Sequence, residues 1–459
     1  MELSTASFIR NNGTAIGIFL LFCIPVVSSV YYAIQLPVSF DEACTFLLFS
    51  NQNFEAAYAH YPAPNNHVFH SLLTILTQKL PYLSKLFKLR ISAILFNAIT
   101  LFVIYKFISS HFDKKMALVV TAISSMLFLN IYYSYMSRGY SLVNLFFIVT
   151  LFCSFNIMKG RQVSSNWAFF CIFSILGFYT IPAFLYPFVT LNVLLFVNCP
   201  QNYKRQFFAN LLVLLVVFLL YYPIIANDGI QAITNNRFVK PIGLFKTIKS
   251  IPFFCLTALE EITGIHWLAL VLILLLSFFK ILKGKVVFEV QFMLILLFAP
   301  VTLFLVQRVV PYPRVFNYYS TIIIIFIFLP YQISITKLKT ETLVIILLGI
   351  QLLLLVNFNC KIKAFENRDQ AINITASHII PKIIGNKKYL FSGALLYSNL
   401  EFELISKGYK NYTIKYLEGT PMSFDTIKNY DYVVLGKEID QTKYGKPFIQ
   451  TPYYSIYKR

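Results

Sequence analysis

The chain has 459 residues, of which 58% are hydrophobic and only 13% are charged, and its mean hydropathy is +0.67. So much apolar surface excludes a soluble globule, because soluble domains carry about 25% charged residues. The formal net charge of +20 would suggest nucleic acid for a soluble protein, but in a membrane protein it first indicates orientation and contact with lipid headgroups. The sequence therefore predicts a polytopic α-helical membrane protein that binds the lipid bilayer and no nucleic acid.

Apolar runs of about 20 residues are long enough to cross a bilayer as helices. About eleven such runs follow one another along the chain, at residues 14–34, 91–108, 116–133, 141–157, 167–179, 184–197, 207–225, 262–279, 286–306, 315–333 and 343–358. Lysine and arginine accumulate in alternate connections between these runs, and positively charged loops stay on the cytoplasmic side. The N-terminus is therefore expected inside and the C-terminus outside.

Two of the expected extracytoplasmic loops are long, at about 35–90 and 226–264. The segment that begins at Val68, with Lys79, Lys85 and Lys88, suits helices that lie along the membrane interface. These helices would cover the outer end of the helix bundle.

After about residue 360 the apolar runs shorten to strand length, at 389–391, 412–414 and 430–435. Helix-like stretches lie between them, at 370–380 and 395–405. We predict a transmembrane domain over residues 1–360 and a small extracytoplasmic α/β domain over residues 361–459.

The adjacent carboxylates Asp41 and Glu42 lie a few residues after the first predicted span. Acidic groups near a low-dielectric boundary are costly, so they indicate a functional site. The alternative is that the pair caps an interfacial helix, whose N-terminus favours acidic residues. Several arginines lie at the outer ends of other predicted spans, where they could bind phosphate or simply snorkel to the interface: Arg90, Arg138, Arg308 and Arg314.

These motifs, taken in order, resemble the C-type (GT-C) membrane glycosyltransferases. The resemblance is carried by the acidic pair and by three segments, Pro64-Asn65-Asn66-His67, Leu89-Arg90-Ile91-Ser92 and Ser137-Arg138-Gly139-Tyr140. More narrowly, the chain resembles the branch that contains the protein O-mannosyltransferases and the lipid A aminoarabinose transferase. The similarity covers about residues 10–335, and the tail agrees only in being a small extracytoplasmic α/β domain.

The resemblance implies an inverting glycosyltransferase that moves a sugar from a polyprenyl-phosphate donor to a lipid, glycan or protein acceptor. Its active site is expected on the extracytoplasmic face of a bacterial inner membrane. Asp41 would be the base that deprotonates the acceptor hydroxyl, while Glu42 would help to position the acceptor or hold the local charges. Arg138 and Arg314, with Arg90 as a further candidate, would bind the donor phosphate.

Other residues near these motifs are expected to contact the substrate: Asn66, His67, Tyr133 and Tyr140. His67 is favoured as a hydrogen-bonding partner of the acidic pair. A metal site can be drawn from His60, His67 and His70 with one of the two carboxylates, but such spacing arises often by chance, and no metal or other cofactor is expected.

A second polar cluster, Glu260, Glu261 and His266, could touch the acceptor, but we interpret it as marking the water interface.

Two alternatives to this glycosyltransferase remain. A flippase or transporter of lipid-linked glycans would place charges near the bilayer midplane, whereas the charges here concentrate at the outer ends. A surface-polysaccharide polymerase or ligase would carry arginine-rich motifs in its outer loops rather than an acidic pair.

Overall fold

The computed structural model describes residues 2–235, 240–283, 287–367, 369, 372–373, 376–377, 388–392, 394–409, 412–416, 429–436, 445–450 and 454–458. Seven of the described helices are long and apolar enough to cross a membrane, and two bent helix pairs raise this number to nine. The chain is thus a helical multi-pass membrane protein with a small C-terminal sheet domain, as predicted. The number of eleven spans, the orientation of the termini and the domain boundary stay predictions.

The membrane part contains eighteen described helices. In chain order they are α1 (Glu2–Gln35), α2 (Phe40–Thr45), α3 (Phe54–Tyr58), α4 (Val68–Gln78), α5 (Lys85–His111), α6 (Lys114–Ser124), α7 (Phe128–Tyr135), α8 (Tyr140–Met158), α9 (Val163–Thr180), α10 (Leu185–Asn198), α11 (Tyr203–Asp228), α12 (Gln231–Thr234), α13 (Leu244–Thr263), α14 (Trp267–Lys283), α15 (Val287–Gln307), α16 (Tyr319–Phe328), α17 (Gln332–Lys337) and α18 (Thr340–Phe365). The long loop between α1 and α5 holds three short helices and a π-helical turn over Phe46–Ser50.

The predicted span at 116–133 is not one straight helix, because α6 and α7 meet at an angle of 71°. At the break the Asn130 side-chain amide donates to the Ser124 carbonyl oxygen at 2.6 Å, and the Ser125 hydroxyl donates to the Ala122 carbonyl oxygen at 3.0 Å. Side chains that bond to nearby carbonyls replace part of the backbone ladder and allow a sharp bend. The bend directs α7 towards the segment that carries Arg138.

The second bent pair, α13 and α14, meets at 96° around Gly264. Gly264 has φ +73°, and a Cβ atom there would lie 2.8 Å from the Phe128 Cβ atom. Only glycine combines this left-handed backbone with so close an approach. The predicted outer loop at 226–264 is mostly helical, because α13 occupies about half of it.

The C-terminal domain contains a five-stranded sheet of order β2-β1-β3-β5-β4 and a helix, α19 (Ala394–Ser406). Its strands are β1 (Lys388–Ser392), β2 (Thr413–Tyr416), β3 (Tyr432–Gly436), β4 (Ile449–Gln450) and β5 (Tyr454–Lys458). The strand β1 pairs in parallel with β2 and β3, while β5 runs antiparallel to β3 and β4. All three predicted strands and the predicted helix at 395–405 are confirmed, and the predicted helix at 370–380 lies largely outside the described residues.

Candidate active site

The acidic pair lies in the first turn of α2, which begins directly after Ser39. The Ser39 hydroxyl accepts a hydrogen bond from the Glu42 amide at 3.3 Å, and the Glu42 carboxylate accepts one from the Ser39 amide at 3.1 Å. This reciprocal arrangement is a capping box, which satisfies two amides that the helix itself leaves unpaired. Glu42 therefore caps α2, as expected from the alternative interpretation that the acidic pair caps a helix.

Glu42 also forms a buried ion pair with Arg90 on α5, and both side chains are 0% exposed. Arg90 Nε and Nη2 donate to the two carboxylate oxygens at 2.8 and 2.6 Å. The Ser137 amide adds a further hydrogen bond to Glu42 Oε1 at 2.9 Å. Glu42 thus ties α2 to α5 and to the segment just before Arg138, so it holds the local charges and does not face an acceptor.

The remaining N–H groups of Arg90 are also used. Its Nη1 atom donates to the carbonyl oxygens of Ala33 and Leu36, and Nη2 donates to that of Pro37. A guanidinium has five N–H donors, and all five are taken at this buried position. Arg90 is therefore a structural anchor in this structure, and the phosphate-binding role that the sequence suggested for it stays a prediction.

Asp41, in contrast, points towards two arginines from distant parts of the chain. Its Oδ2 atom lies 3.7 Å from Arg138 Nη2 and 3.8 Å from Arg314 Nη1. The Asp41 side chain is 33% exposed, Arg138 is 4% exposed and Arg314 is 36% exposed. The structure thus brings together three residues that the sequence had assigned to one site, and one carboxylate lies beside two cations.

Several polar atoms around Arg138 have no hydrogen-bond partner among the residues that the structure describes. They are Arg138 Nε, Asn65 Oδ1 and Ser137 Oγ. The Arg138 Nη1 atom reaches only the Asn65 carbonyl oxygen, at 3.4 Å. Because buried polar groups are nearly always paired, a cluster of unpaired ones indicates a place for a polar ligand. Arg138 differs in this respect from Arg90, whose donors are all used.

His67 is fixed in one neutral form beside this cluster. Its Nδ1 atom accepts a hydrogen bond from the Gly139 amide at 2.6 Å, so the ring proton lies on Nε2. Burial, assisted by the nearby charge of Arg138, lowers the pKa of His67 well below its ordinary value. His67 is therefore a neutral hydrogen-bond donor, and its fixed partner is the Gly139 amide rather than the acidic pair that the sequence suggested.

The close contact between His67 and Gly139 leaves no room for a side chain at residue 139. A Cβ atom there would lie 3.0 Å from His67 Nδ1 and 2.5 Å from Thr180 Cγ2. The Tyr140 ring meets the His67 ring edge to face, with centroids 5.1 Å apart, and the Tyr133 ring at 4.3 Å. The two predicted tyrosines thus form an aromatic corner with His67.

Asn66 does not contribute to this corner. Its side-chain amide donates to the carbonyl oxygens of Ala57 and His60, both at 2.8 Å, and its Oδ1 atom accepts from the Ser71 hydroxyl at 2.9 Å. The residue is fully buried. Asn66 therefore holds the turn that leads into α4, and its predicted substrate contact stays a prediction.

His60 contacts Asp228, with Nδ1 and Oδ1 3.3 Å apart. Among the described residues, no three His, Cys, Asp or Glu side chains lie close enough together to hold a metal ion.

One acidic residue that the sequence analysis interpreted as marking the water interface lies near the site. Glu261 on α13 lies close enough to Arg314 and Tyr133 to interact with them electrostatically. Its neighbour Glu260 accepts a hydrogen bond from the Trp267 amide at 3.3 Å, at the start of α14. Adjacent residues on a helix point about 100° apart, so one of the pair stabilises the bend while the other faces the arginine.

A further buried carboxyl, Glu366, follows α18 directly. The titratable groups facing it are Glu42, Arg90, Tyr135 and Asp369, and burial, followed by the Glu42 charge, raises the pKa of Glu366 to about 8. Because the pKa of Glu366 in the unfolded chain is near 4.5, the contribution of Glu366 to stability is complete below that pH and is lost as the pH rises towards 8.

We expect the melting temperature of the wild type to fall more steeply than that of Glu366→Gln between about pH 5.5 and 8.5. Parallel melting curves for the two proteins over this range would contradict the assignment.

Comparison with solved structures identifies the fold. The chain superposes on ArnT from Cupriavidus metallidurans bound to undecaprenyl phosphate with a TM-score of 0.63 and 10% identity, covering 96% of this chain and 97% of ArnT. The apo state of the same ArnT gives a TM-score of 0.62 at 10% identity, covering 98% of each chain. No protein-family model and no curated protein matches the sequence. At the level of the fold, these matches confirm the resemblance to the GT-C glycosyltransferases of the aminoarabinose transferase branch, and they extend it over the C-terminal domain.

Proposed function

We propose that the protein is an inverting glycosyltransferase that takes a sugar from a polyprenyl-phosphate donor on the extracytoplasmic face of the membrane. The observation that carries this proposal is the position of Asp41 beside Arg138 and Arg314. A carboxylate and two cations at the outer end of a helix bundle suit a lipid substrate whose phosphate stays at the membrane surface. The ArnT fold supports the same donor class, since one of its structures contains undecaprenyl phosphate.

The reaction follows from the roles of these three side chains. Asp41 accepts the proton of the acceptor hydroxyl as the hydroxyl oxygen bonds to the anomeric carbon. The bond between that carbon and the phosphate oxygen breaks, and its electron pair leaves with the phosphate. Arg138 and Arg314 stabilise the charge that develops on the departing phosphate, which is most effective where water is scarce.

The partners of Glu42 favour inversion at the anomeric carbon. A retaining mechanism by double displacement needs a second group that acts as a nucleophile. Glu42, the nearest neighbour of Asp41 in sequence, is held by Arg90 and by the Ser39 and Ser137 amides. Asp41 then acts alone as the base in a single displacement, and the Nε2–H group of His67 donates a hydrogen bond to a substrate oxygen.

Reconstituted membranes provide the direct test. The purified protein is placed in liposomes with polyprenyl phosphates that carry radiolabelled sugars, together with an extract of envelope acceptors. We expect the label to pass to an acceptor while free polyprenyl phosphate is released. Movement of labelled lipid between leaflets without cleavage would instead support the flippase.

The arginines allow a sharper test of donor binding. Arg138→Gln removes a guanidinium whose Nε has no hydrogen-bond partner among the described residues, and hydrogen bonds to charged groups contribute about 1.5–3 kcal/mol. We therefore expect affinity for polyprenyl phosphate to fall by roughly tenfold to a hundredfold, measured by equilibrium binding. Arg205→Gln, a change of the same charge at an exposed residue in the first turn of α11, is the control. Equal affinities for Arg138→Gln and the control would remove Arg138 from the phosphate site.

A further inference from the structure

The C-terminal domain contacts the segment that carries Asp41. The Val38 carbonyl oxygen, just before α2, accepts hydrogen bonds from the side-chain amides of Asn373 and Asn399, at 2.8 and 3.3 Å. The Phe40 amide, at the first residue of α2, donates to Asp369 Oδ1 at 3.3 Å. Three polar side chains from beyond residue 365 therefore hold the backbone at the start of α2.

An apolar contact joins the same two parts. Phe402 on α19 packs edge to face against Phe46, with ring centroids 5.0 Å apart. Both rings are fully buried, in a cluster with Val38, Ala43 and Leu89. The cluster contains residues of α2, α5 and α19, so α2 lies between the membrane bundle and the C-terminal domain.

The helix α2 depends on these contacts because it is short. It has six residues, whereas isolated helices of fewer than about 12 residues are marginal in water. Its position is fixed on one side by the Glu42–Arg90 ion pair and on the other side by the C-terminal domain. A shift of α2 would displace Asp41 relative to Arg138 and Arg314, neither of which is on α2.

We propose that the C-terminal domain positions the catalytic carboxylate, with Phe402 and Asn399 as positioning residues that act through α2. This proposal rests on the proposed function in assigning Asp41 as the base. The domain is then part of the active site's framework and not an independent binding module. A displacement of about 1 Å at a reacting group can lower a rate about a hundredfold.

The test compares two truncations on one helix. Phe402→Ala removes the contact with Phe46, while Leu404→Ala removes a buried side chain that packs in the core of the C-terminal domain itself. We expect Phe402→Ala to lower kcat at least about tenfold with the KM for the lipid donor within about twofold. Phe402→Leu should restore most of kcat. Leu404→Ala should lower the melting temperature but keep kcat, so equal kcat losses in both alanine variants would overturn the proposal.

A second measurement does not depend on activity. Amide hydrogen exchange across residues 40–45 should be faster in Phe402→Ala than in the wild type or in Leu404→Ala, because local openings raise exchange. Unchanged exchange in Phe402→Ala would overturn the positioning role even if the protein transfers sugar. Faster exchange in a protein that transfers no sugar would keep the contact and reject the proposed function.

Discussion

Asp41→Asn is expected to lower kcat for sugar transfer by roughly 10²- to 10⁴-fold, the usual contribution of a general base. The amide has nearly the same shape as the carboxylate but cannot accept the proton of the acceptor hydroxyl. Donor binding should be retained or strengthened, since Asp41 Oδ2 lies within 3.8 Å of both arginines that we propose bind the phosphate, and its negative charge opposes a phosphate. The measurement is transfer of labelled sugar in liposomes, alongside equilibrium binding of polyprenyl phosphate.

Glu55→Gln is the matched control, because Glu55 is an exposed carboxylate on α3, in the same loop between α1 and α5. It should transfer sugar at the wild-type rate. If Asp41→Asn also retained that rate, another group would have to be the base. If Asp41→Asn lost donor binding instead of turnover, Asp41 would be a binding residue.

Removal of one partner from the Glu42–Arg90 pair is expected to have the largest effect on stability. Breaking a buried ion pair costs about 3–5 kcal/mol, because it leaves the other charge buried and unpaired. Arg90→Met should therefore lower the melting temperature strongly, while Arg161→Met, at an exposed residue, should change it little. The comparison is made by thermal unfolding of the purified proteins in the same detergent.

The double variant Glu42→Leu/Arg90→Met separates loss of charge balance from loss of packing. Removing both charges together should recover part of the stability. The recovery should be incomplete, because the Ser39 and Ser137 amides lose their acceptor. A double variant less stable than either single variant would show that the ion pair itself, and not the burial of an unpaired charge, dominates at this site.

Sequence patterns located the candidate site because its residues stand out from an apolar background. The structure joins Asp41, Arg138 and Arg314 from three segments, each next to a predicted span. The sequence pattern could not tell which of the two adjacent carboxylates is buried in an ion pair and which lies beside Arg138 and Arg314. One signal was available, since Ser39 and Glu42 have the spacing of a capping box, and it would have indicated Glu42 as structural.

Other features of the structure also depend on contacts between segments that are distant in sequence. The hydropathy of a segment depends on its composition and not on the direction of the helix axis. A bent helix pair such as α6 and α7 is therefore predicted as one span. Likewise, the roles of Asn66 and Arg90 depend on backbone carbonyls supplied by distant turns. Strands β4 and β5 were not predicted, because β4 has only two residues and depends on β5 for its pairing.

The contacts that hold α2 also bear on the biosynthesis of the protein. The hydrogen bond from Ser137 to Glu42 spans 95 residues, and the one from Asn399 to Val38 spans 361 residues. Contacts between residues so far apart in sequence form late, since the intervening chain must first be ordered. A ribosome-bound chain that has inserted every membrane helix still lacks the contacts from the C-terminal domain. The segment that carries Asp41 is therefore among the first to be synthesised and among the last to be fixed in place.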